Sequence, residues 1–220
     1  MVTSYLTIGR DGQAEVEAKR SRFLCTLERV EDEDAARAVV DRLRREHWDA
    51  RHHCSAFVLG PRAEVQRSSD DGEPAGTAGA PMLEVLRGAG VSDTVAVVTR
   101  WFGGTLLGAG GLVRAYGDAV RAALDEVGLL RRELLLEHEL VVSHADAGRL
   151  ESELRSRGVL VLDTAYAEQV TLRVGVRDSS ALAAQVAELS GGTVLARHVG
   201  YSWLDVGHLA VDVHPPPGAS

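Results

Sequence analysis

The sequence predicts a two-domain α+β chain whose second unit is a ferredoxin-like βαββαβ sandwich, and three observations carry that expectation. The length of 220 residues allows one large domain or two small ones, at about 100–200 residues per domain. Apolar periods of two and of about 3.6 residues alternate along the whole chain, with no internal repeat. From Leu134 onward they fall in the order strand, helix, strand, strand, helix, strand. The boundary is expected near Leu130 to Glu133. That gives one unit over residues 1–130, a second over 133–210 and a disordered tail over 211–220, where Pro215-Pro216-Pro217-Gly218 cannot continue a strand.

Thr3 to Ile8 and Arg22 to Val30 read as strands separated by the turn-like Gly9-Arg10-Asp11-Gly12. A helix opens in the acidic stretch Glu31 to Asp34, where negative charge suits the dipole, and Ala35, Val39, Leu43 and Trp48 continue its apolar stripe. His52 to Leu59 alternates as a strand: Cys54, Ala56 and Val58 point one way, and His53, Ser55, Phe57 and Leu59 the other. The pattern stops from Ser68 to Gly79. Ala80 to Arg87 is a short helix with Pro81 in its first turn, and Val95 to Thr99 is a buried central strand. After a glycine-rich loop from Phe102 to Gly111, a helix with Val113, Tyr116, Val120, Ala123 and Val127 on one face ends near Gly128. The second unit then reads as strand Leu134 to Val142, helix Ala145 to Arg157, strands Val159 to Tyr166 and Gln169 to Val176, helix Ser179 to Leu189, and a last strand beginning over Thr193 to Val199.

Composition narrows the function. Apolar residues are 45% and charged residues 25% of the chain, values of a globular protein and not of a disordered one. No apolar run approaches the roughly 18 residues that cross a bilayer, and no signal pattern opens the chain, so no membrane role is expected. Cys25 and Cys54 are too few for a disulfide framework, and a reducing cytoplasm is the expected compartment. The net charge of −8 repels phosphate as a whole, so any nucleic-acid contact needs a local arginine cluster.

Two segments stand apart from ordinary connections. In Asp70-Asp71-Gly72-Glu73-Pro74-Ala75-Gly76-Thr77, three carboxylates repel one another unless an arginine, backbone N–H groups or a hard cation such as Mg²⁺ compensates them. A solvated surface turn explains the same composition. In Arg100 to Arg114, Gly103, Gly104, Gly108, Gly110 and Gly111 lie between a buried strand and a long helix. Glycine lets backbone approach a ligand, a helix start offers free N–H groups to an anion, and Arg100 and Arg114 supply fork-shaped donors to phosphate. Glycines that only pack the helix on the sheet are the plainer alternative. The loop is neither a Walker A nor a dinucleotide fingerprint. Trp101-Phe102 suits either base stacking or core packing. His52 is a polar site residue or a structural histidine. His52-His53-Cys54 alternates across a strand, so these residues cannot all ligate one zinc ion.

Lys19-x-Ser21-Arg22-Phe23, Asp49-Ala50-Arg51-His52-His53-Cys54, Asp70 to Gly79, and Arg100-x-Phe102-Gly103-Gly104-x-x-Leu107-Gly108-x-Gly110-Gly111-Leu112-x-Arg114-Ala115-Tyr116 together resemble the IMPACT family, most closely its bacterial YigZ branch. The resemblance implies a ribosomal-protein-S5-domain-2-like N-terminal α/β sandwich. It also implies a C-terminal ferredoxin-like domain similar to those of translation elongation factor G. Eukaryotic members of the family are translation regulators that carry an additional N-terminal RWD module. Only about 18 residues precede the first motif here, so that module and its kinase-linked role are not expected. The resemblance supplies no catalytic residues and no cofactor.

The leading expectation is a non-enzymatic regulatory or binding protein linked to translation, touching RNA phosphate or a ribosomal surface through the Gly103–Gly111 loop. Asp70, Asp71, Glu73 and Thr77 would stand at its rim. A Mg²⁺-dependent phosphoryl-transfer enzyme using the two loops is one alternative, and a protein-docking module is the other.

Overall fold

A computed structural model describes residues 2–209, and the tail expected over 211–220 lies outside them. The chain divides into two compact units, one of the residues to Arg132 with the segment from Asp205, the other Glu133–Leu204. The α+β class is as expected. No helix among the described residues is long and apolar enough to cross a membrane.

The first unit contains β1 (Ser4–Ile8), β2 (Gly12–Ala18), β3 (Ser21–Arg29), α1 (Glu33–Glu46), β4 (His52–Leu59), β5 (Val65–Ser69), α2 (Gly79–Gly88), β6 (Thr94–Trp101) and α3 (Ala109–Val127). Its main sheet runs β2-β3-β6-β4-β5, with every neighbouring pair antiparallel. β6 is central. Val95 and Val97 meet Ala36, Val39 and Leu43 of α1 on one face. Ala96 and Val98 meet Met82 of α2 and Tyr116 and Val120 of α3 on the other. Cover on both faces is why β6 reads as an unbroken apolar run. Asp32 caps α1 by accepting the Ala35 N–H at 2.7 Å, a bond that satisfies one of the helix's free donors. β1 is fastened by Ser92 N–H to Leu6 O and Gly9 N–H to Gly128 O, both 2.9 Å.

Three expectations about this unit change. β2 fills the stretch read as turn and linker, its Ala14, Val16 and Ala18 packed against the core. β5 is a polar edge strand paired to β4 from Leu59↔Val65 to Ser55↔Ser69. α1 stops at Glu46 with His47 as its C-cap, so Trp48 leaves the apolar stripe and is 82% exposed.

The second unit is built from β7 (Leu129–Val142) from Glu133 on, α4 (His144–Ser156), β8 (Leu160–Tyr166), β9 (Val170–Val176), α5 (Ser179–Ser190) and β10 (Ala196–Leu209) as far as Leu204. The strand order β10-β7-β9-β8 is that of a split βαβ sandwich. Leu140, Leu172 and Val174 of the sheet close its core with Leu150 and Leu154 of α4 and Leu182 and Val186 of α5. Ser143 and Asp178 cap the two helices. The sequence reading ran this unit to residue 210, whereas the segment from Asp205 belongs with the first. There the Asp205 carboxylate receives both Arg29 NH groups at 2.7 and 2.9 Å and Arg132 Nε at 3.1 Å, bonds within the first unit.

Candidate functional site

The acidic loop between β5 and α2 is held from within, and each carboxylate has a different partner. Asp70 turns back over its own loop to accept the N–H groups of Gly76 (2.7 Å), Ala78 (3.1 Å) and Gly79 (2.8 Å). It does the work of an N-cap for α2, where Ala78 has no side chain able to. Burial opposes its charge, but the three N–H bonds outweigh burial and hold its carboxyl below the ordinary range. Asp71, in the left-handed region at φ 43°, accepts the His53 N–H at 2.6 Å and pairs with Arg44 at 2.6 Å. Its carbonyl lies 2.8 Å from His52 Nδ1. Thr77 Oγ1 donates to Pro74 O at 2.7 Å within the same loop.

Glu73 points inward. Its carboxylate pairs with Arg100 at the end of β6, the two side chains only 4% and 8% exposed. Tyr116 OH of α3 donates to the same Oε1 at 2.8 Å. Cys54 Sγ lies 3.3 Å from that hydroxyl and 3.0 Å from Asp70 O. Phe23 meets Tyr116 edge-on at 5.2 Å and lies 5.3 Å from the Arg100 guanidinium. Arg100, offered by the sequence as a phosphate donor, is therefore spent on Glu73 and anchors the acidic loop to β6. Burial pushes the Cys54 thiol up to about 12 and raises that of Cys25 as well. Both are protonated at neutral pH and unsuited to nucleophilic work. Among the described residues, no group of three or more His, Cys, Asp and Glu is placed to hold a metal ion.

The glycine-rich loop takes its shape from close approach. Gly103 lies against the β2–β3 turn so closely that a Cβ would fall 2.1 Å from the Arg20 carbonyl carbon, and its N–H donates to Ser21 Oγ at 3.1 Å. Gly104 and Gly108 have φ of 86° and 76°, a region that costs other residues strain. Gly108 is the N-cap of α3 and supplies no side-chain bond. The helical ladder begins with Leu112 N–H to Gly108 O at 3.0 Å. The N–H groups of Ala109, Gly110 and Gly111 thus have no acceptor among the described residues, and Gly108 to Gly110 are exposed. A first turn of free N–H groups carries partial positive charge. Arg114, one turn on and exposed, has no ion pair among the described residues.

Each loop lends one residue to a groove that Asp70, Asp71, Glu73, Thr77, Gly108 and Gly111 do not line, so the acidic side chains are not at its rim, contrary to expectation. Between α2 and α3 lies an open cleft of about 1210 Å³, lined by Gly76 from the acidic loop, Pro81 and Val85 of α2, and Gly110, Val113 and Arg114 of α3. Arg100, Gly103 and Gly104 do not line it. Sequence reasoning missed Tyr116 as the acceptor-sharing hub and Arg44 as the partner of Asp71. It also missed that Lys19 and Arg20 form a turn beneath Gly103, although Lys19 opens a quoted motif and is the sole lysine of the chain.

The Asp70 bonds give a pH dependence. A carboxyl whose folded pKa is lowered adds stability that is complete above its unfolded value near 4 and is lost as pH falls toward the folded one. Asp70→Asn should lower stability at pH 7 by about 0.5–2 kcal/mol, the range for a lost cap. The gap from wild type should narrow below about pH 4. Urea midpoints at pH 7 and pH 3 check this, and a gap that widens in acid overturns it.

Comparison with known proteins places the whole arrangement. Residues 19–124 match the Impact N-terminal domain, and residues 140–193 match a domain of unknown function, DUF1949. The chain is 41% identical over 194 residues to the IMPACT family member YvyE of Bacillus subtilis, covering 87% of this chain and 89% of that one. It is 44% identical over 176 residues to the family member YigZ of Escherichia coli, covering 79% and 84%. A crystal structure of a hypothetical protein, 38% identical, superposes with a TM-score of 0.64 over 90% of this chain and 98% of its own. With a family domain matched over residues 19–124 and relatives above 40% identical across most of its length, the chain belongs to the IMPACT family.

Proposed function

We infer that this protein is a non-enzymatic, translation-linked regulatory or binding protein that contacts RNA, free or on a ribosomal surface, through the start of α3. The observation that carries the reading is the exposed first turn of a 19-residue helix with uncapped N–H groups beside Arg114, which has no ion pair among the described residues. Such a turn receives a phosphate with backbone donors, and a guanidinium one turn further adds a bidentate clamp. The family resemblance directs the reading toward translation. Arg100 supports the site indirectly, by fixing the acidic loop that brings Gly76 to the groove.

Phosphate recognition by an acidic protein is weakened by its net repulsion, and it is salt-sensitive because each neutralised phosphate releases counterions. Arg114→Ala should weaken RNA binding several-fold at low salt. It should also reduce the slope of log affinity against log salt by about 0.7–0.9, one phosphate contact. Filter binding between 50 and 200 mM salt reads both. Equal affinities and equal slopes for the two proteins remove this role.

A further inference from the structure

Most arginines of the first unit are matched to a carboxylate. Among its described residues, Lys19, Arg20, Arg45, Arg51, Arg114 and Arg131 have no ion pair. Three of these lie at one end of the sheet, and Arg114 stands near the start of the helix reached by the loop that leaves that end. Lys19 and Arg20 form the two-residue turn between Ala18 and Ser21, and Lys19 Nζ reaches Leu106 O at 3.4 Å. Arg51 follows on the other side of β6, its N–H donating to Arg100 O at 3.3 Å. Arg114 stands at the start of α3, beyond the loop that Gly103 ties to Ser21. In a chain of net charge −8, a cluster left uncompensated is the local feature that phosphate binding requires.

The turn itself is costly to keep. Lys19 and Arg20 have φ of 45° and 67°, a conformation that Asn-Gly suits and long side chains do not. Strain of this kind persists where the strained residues serve a function.

Exposed apolar side chains share the same connections: Trp48 lies three residues before Arg51, and Phe102 and Leu106 belong to the loop that Lys19 reaches. Trp48 is 82%, Phe102 42% and Leu106 81% exposed. Trp48 follows His47, whose ring packs edge-on to Trp101 at 5.3 Å. Trp101 is already covered, with the Arg22 guanidinium 4.8 Å above its ring and its Nε1 donating to Asp49 at 2.9 Å. Of the nearby carboxylates, Asp49 is engaged in that bond, Glu15 holds Arg22 and Asp71 holds Arg44. Glu17, opposite Arg22 in the hairpin, is the exposed acid that remains.

Cations that follow a backbone, interleaved with aromatic faces, suit a single strand with unstacked bases. A duplex buries those base faces and gains only the charge term. We propose that this end of the first unit binds single-stranded RNA, with Lys19, Arg20, Arg51 and Arg114 on phosphates and Trp48 and Phe102 stacked on unpaired bases. The proposal rests on the reading that the protein contacts RNA, and it adds which form of RNA is bound and which residues select it.

The test titrates the full chain with a labelled 12-nucleotide RNA and with the same sequence as a blunt duplex, at several salt concentrations. The single strand should bind more tightly and quench tryptophan fluorescence, and Trp48→Ala should abolish most of that quenching. Trp48→Ala and Phe102→Ala should each weaken the single strand by about tenfold and leave the duplex nearly unchanged. The double change Lys19→Asn/Arg20→Gly relieves the turn while deleting both charges. It should keep or raise the thermal midpoint, yet reduce the salt slope for the single strand by about 1.4. Duplex bound as well as single strand, with both aromatic variants unaffected, overturns this proposal and leaves RNA contact standing. Binding of neither RNA fails the underlying reading. RNA binding that every variant here retains, alongside loss of a protein partner, assigns the surface to protein docking and also overturns it.

Discussion

Replacing Glu73 by alanine should lower the stability of the first unit by about 3–5 kcal/mol, the cost of leaving one member of a buried ion pair alone. Arg100 and Glu73 are only 8% and 4% exposed. Without Glu73 the guanidinium remains enclosed beside the Phe23 and Phe102 rings, and its Nε already lacks a partner. The Tyr116 hydroxyl loses its acceptor in the same step. Glu73→Gln keeps an oxygen for Tyr116 and removes only the charge, so it should fall between wild type and the alanine variant. Removing both charges with Arg100→Met/Glu73→Leu should recover most of the loss, because a buried pair replaced by apolar groups of similar volume is close to neutral. Urea unfolding of the four proteins reads the series. An alanine variant within 1 kcal/mol of wild type would mean that water reaches the pair, and the account of the acidic loop as an anchored element would fall.

That series bears on what was legible beforehand. Strand β4 was readable because Cys54, Ala56 and Val58 alternate with His53, Phe57 and Leu59, and both sets are packed, on opposite faces of the sheet. The βαββαβ order of the second unit was readable for the same reason of period. β2 was not, because its inward residues Ala14, Val16 and Ala18 are small and its outward ones sit next to turn signals. β5 carries no period at all. Gln66, Arg67, Ser68 and Ser69 form a strand only because β4 offers them an edge. Trp48 misled because helical spacing continues past Glu46, while the helix ends at His47.

The candidate site was legible as two unusual segments and illegible as a set of partnerships. Asp71 meets Arg44 across 27 residues, Glu73 meets Arg100 across 27 and Tyr116 across 43. No local pattern encodes which carboxylate a distant arginine will find. Only after those pairs are removed does it emerge that Arg100 is consumed and that Lys19, Arg20, Arg51 and Arg114 have no ion pair among the described residues. The arginines that the spacing singled out and those the fold leaves available overlap in one residue, Arg114.

Gly103→Ala should be the most damaging of the loop substitutions, at about 3 kcal/mol, the upper part of the overpacking range. The added Cβ would fall 2.1 Å from both the carbonyl carbon and oxygen of Arg20 and 2.4 Å from Ser21 N. All three are backbone atoms inside a hairpin turn and cannot rotate away, so the loop must lift from the turn. Lifting it breaks the Gly103 N–H bond to Ser21 Oγ and leaves a hydroxyl at a fully buried residue without that donor. Gly104→Ala meets nothing within 4 Å but must hold φ at 86°, a cost of about 1–2 kcal/mol. Gly110→Ala also meets nothing and lies in the first turn of α3, where alanine favours the helix by up to about 1 kcal/mol. Thermal and urea unfolding should therefore rank the variants Gly103 far below Gly104, with Gly110 at or above wild type. If Gly103→Ala and Gly110→Ala unfold together, the loop does not lean on the Lys19-Arg20 turn. The free N–H groups of α3 and the cations of the hairpin would then have to be treated as two separate surfaces, not one.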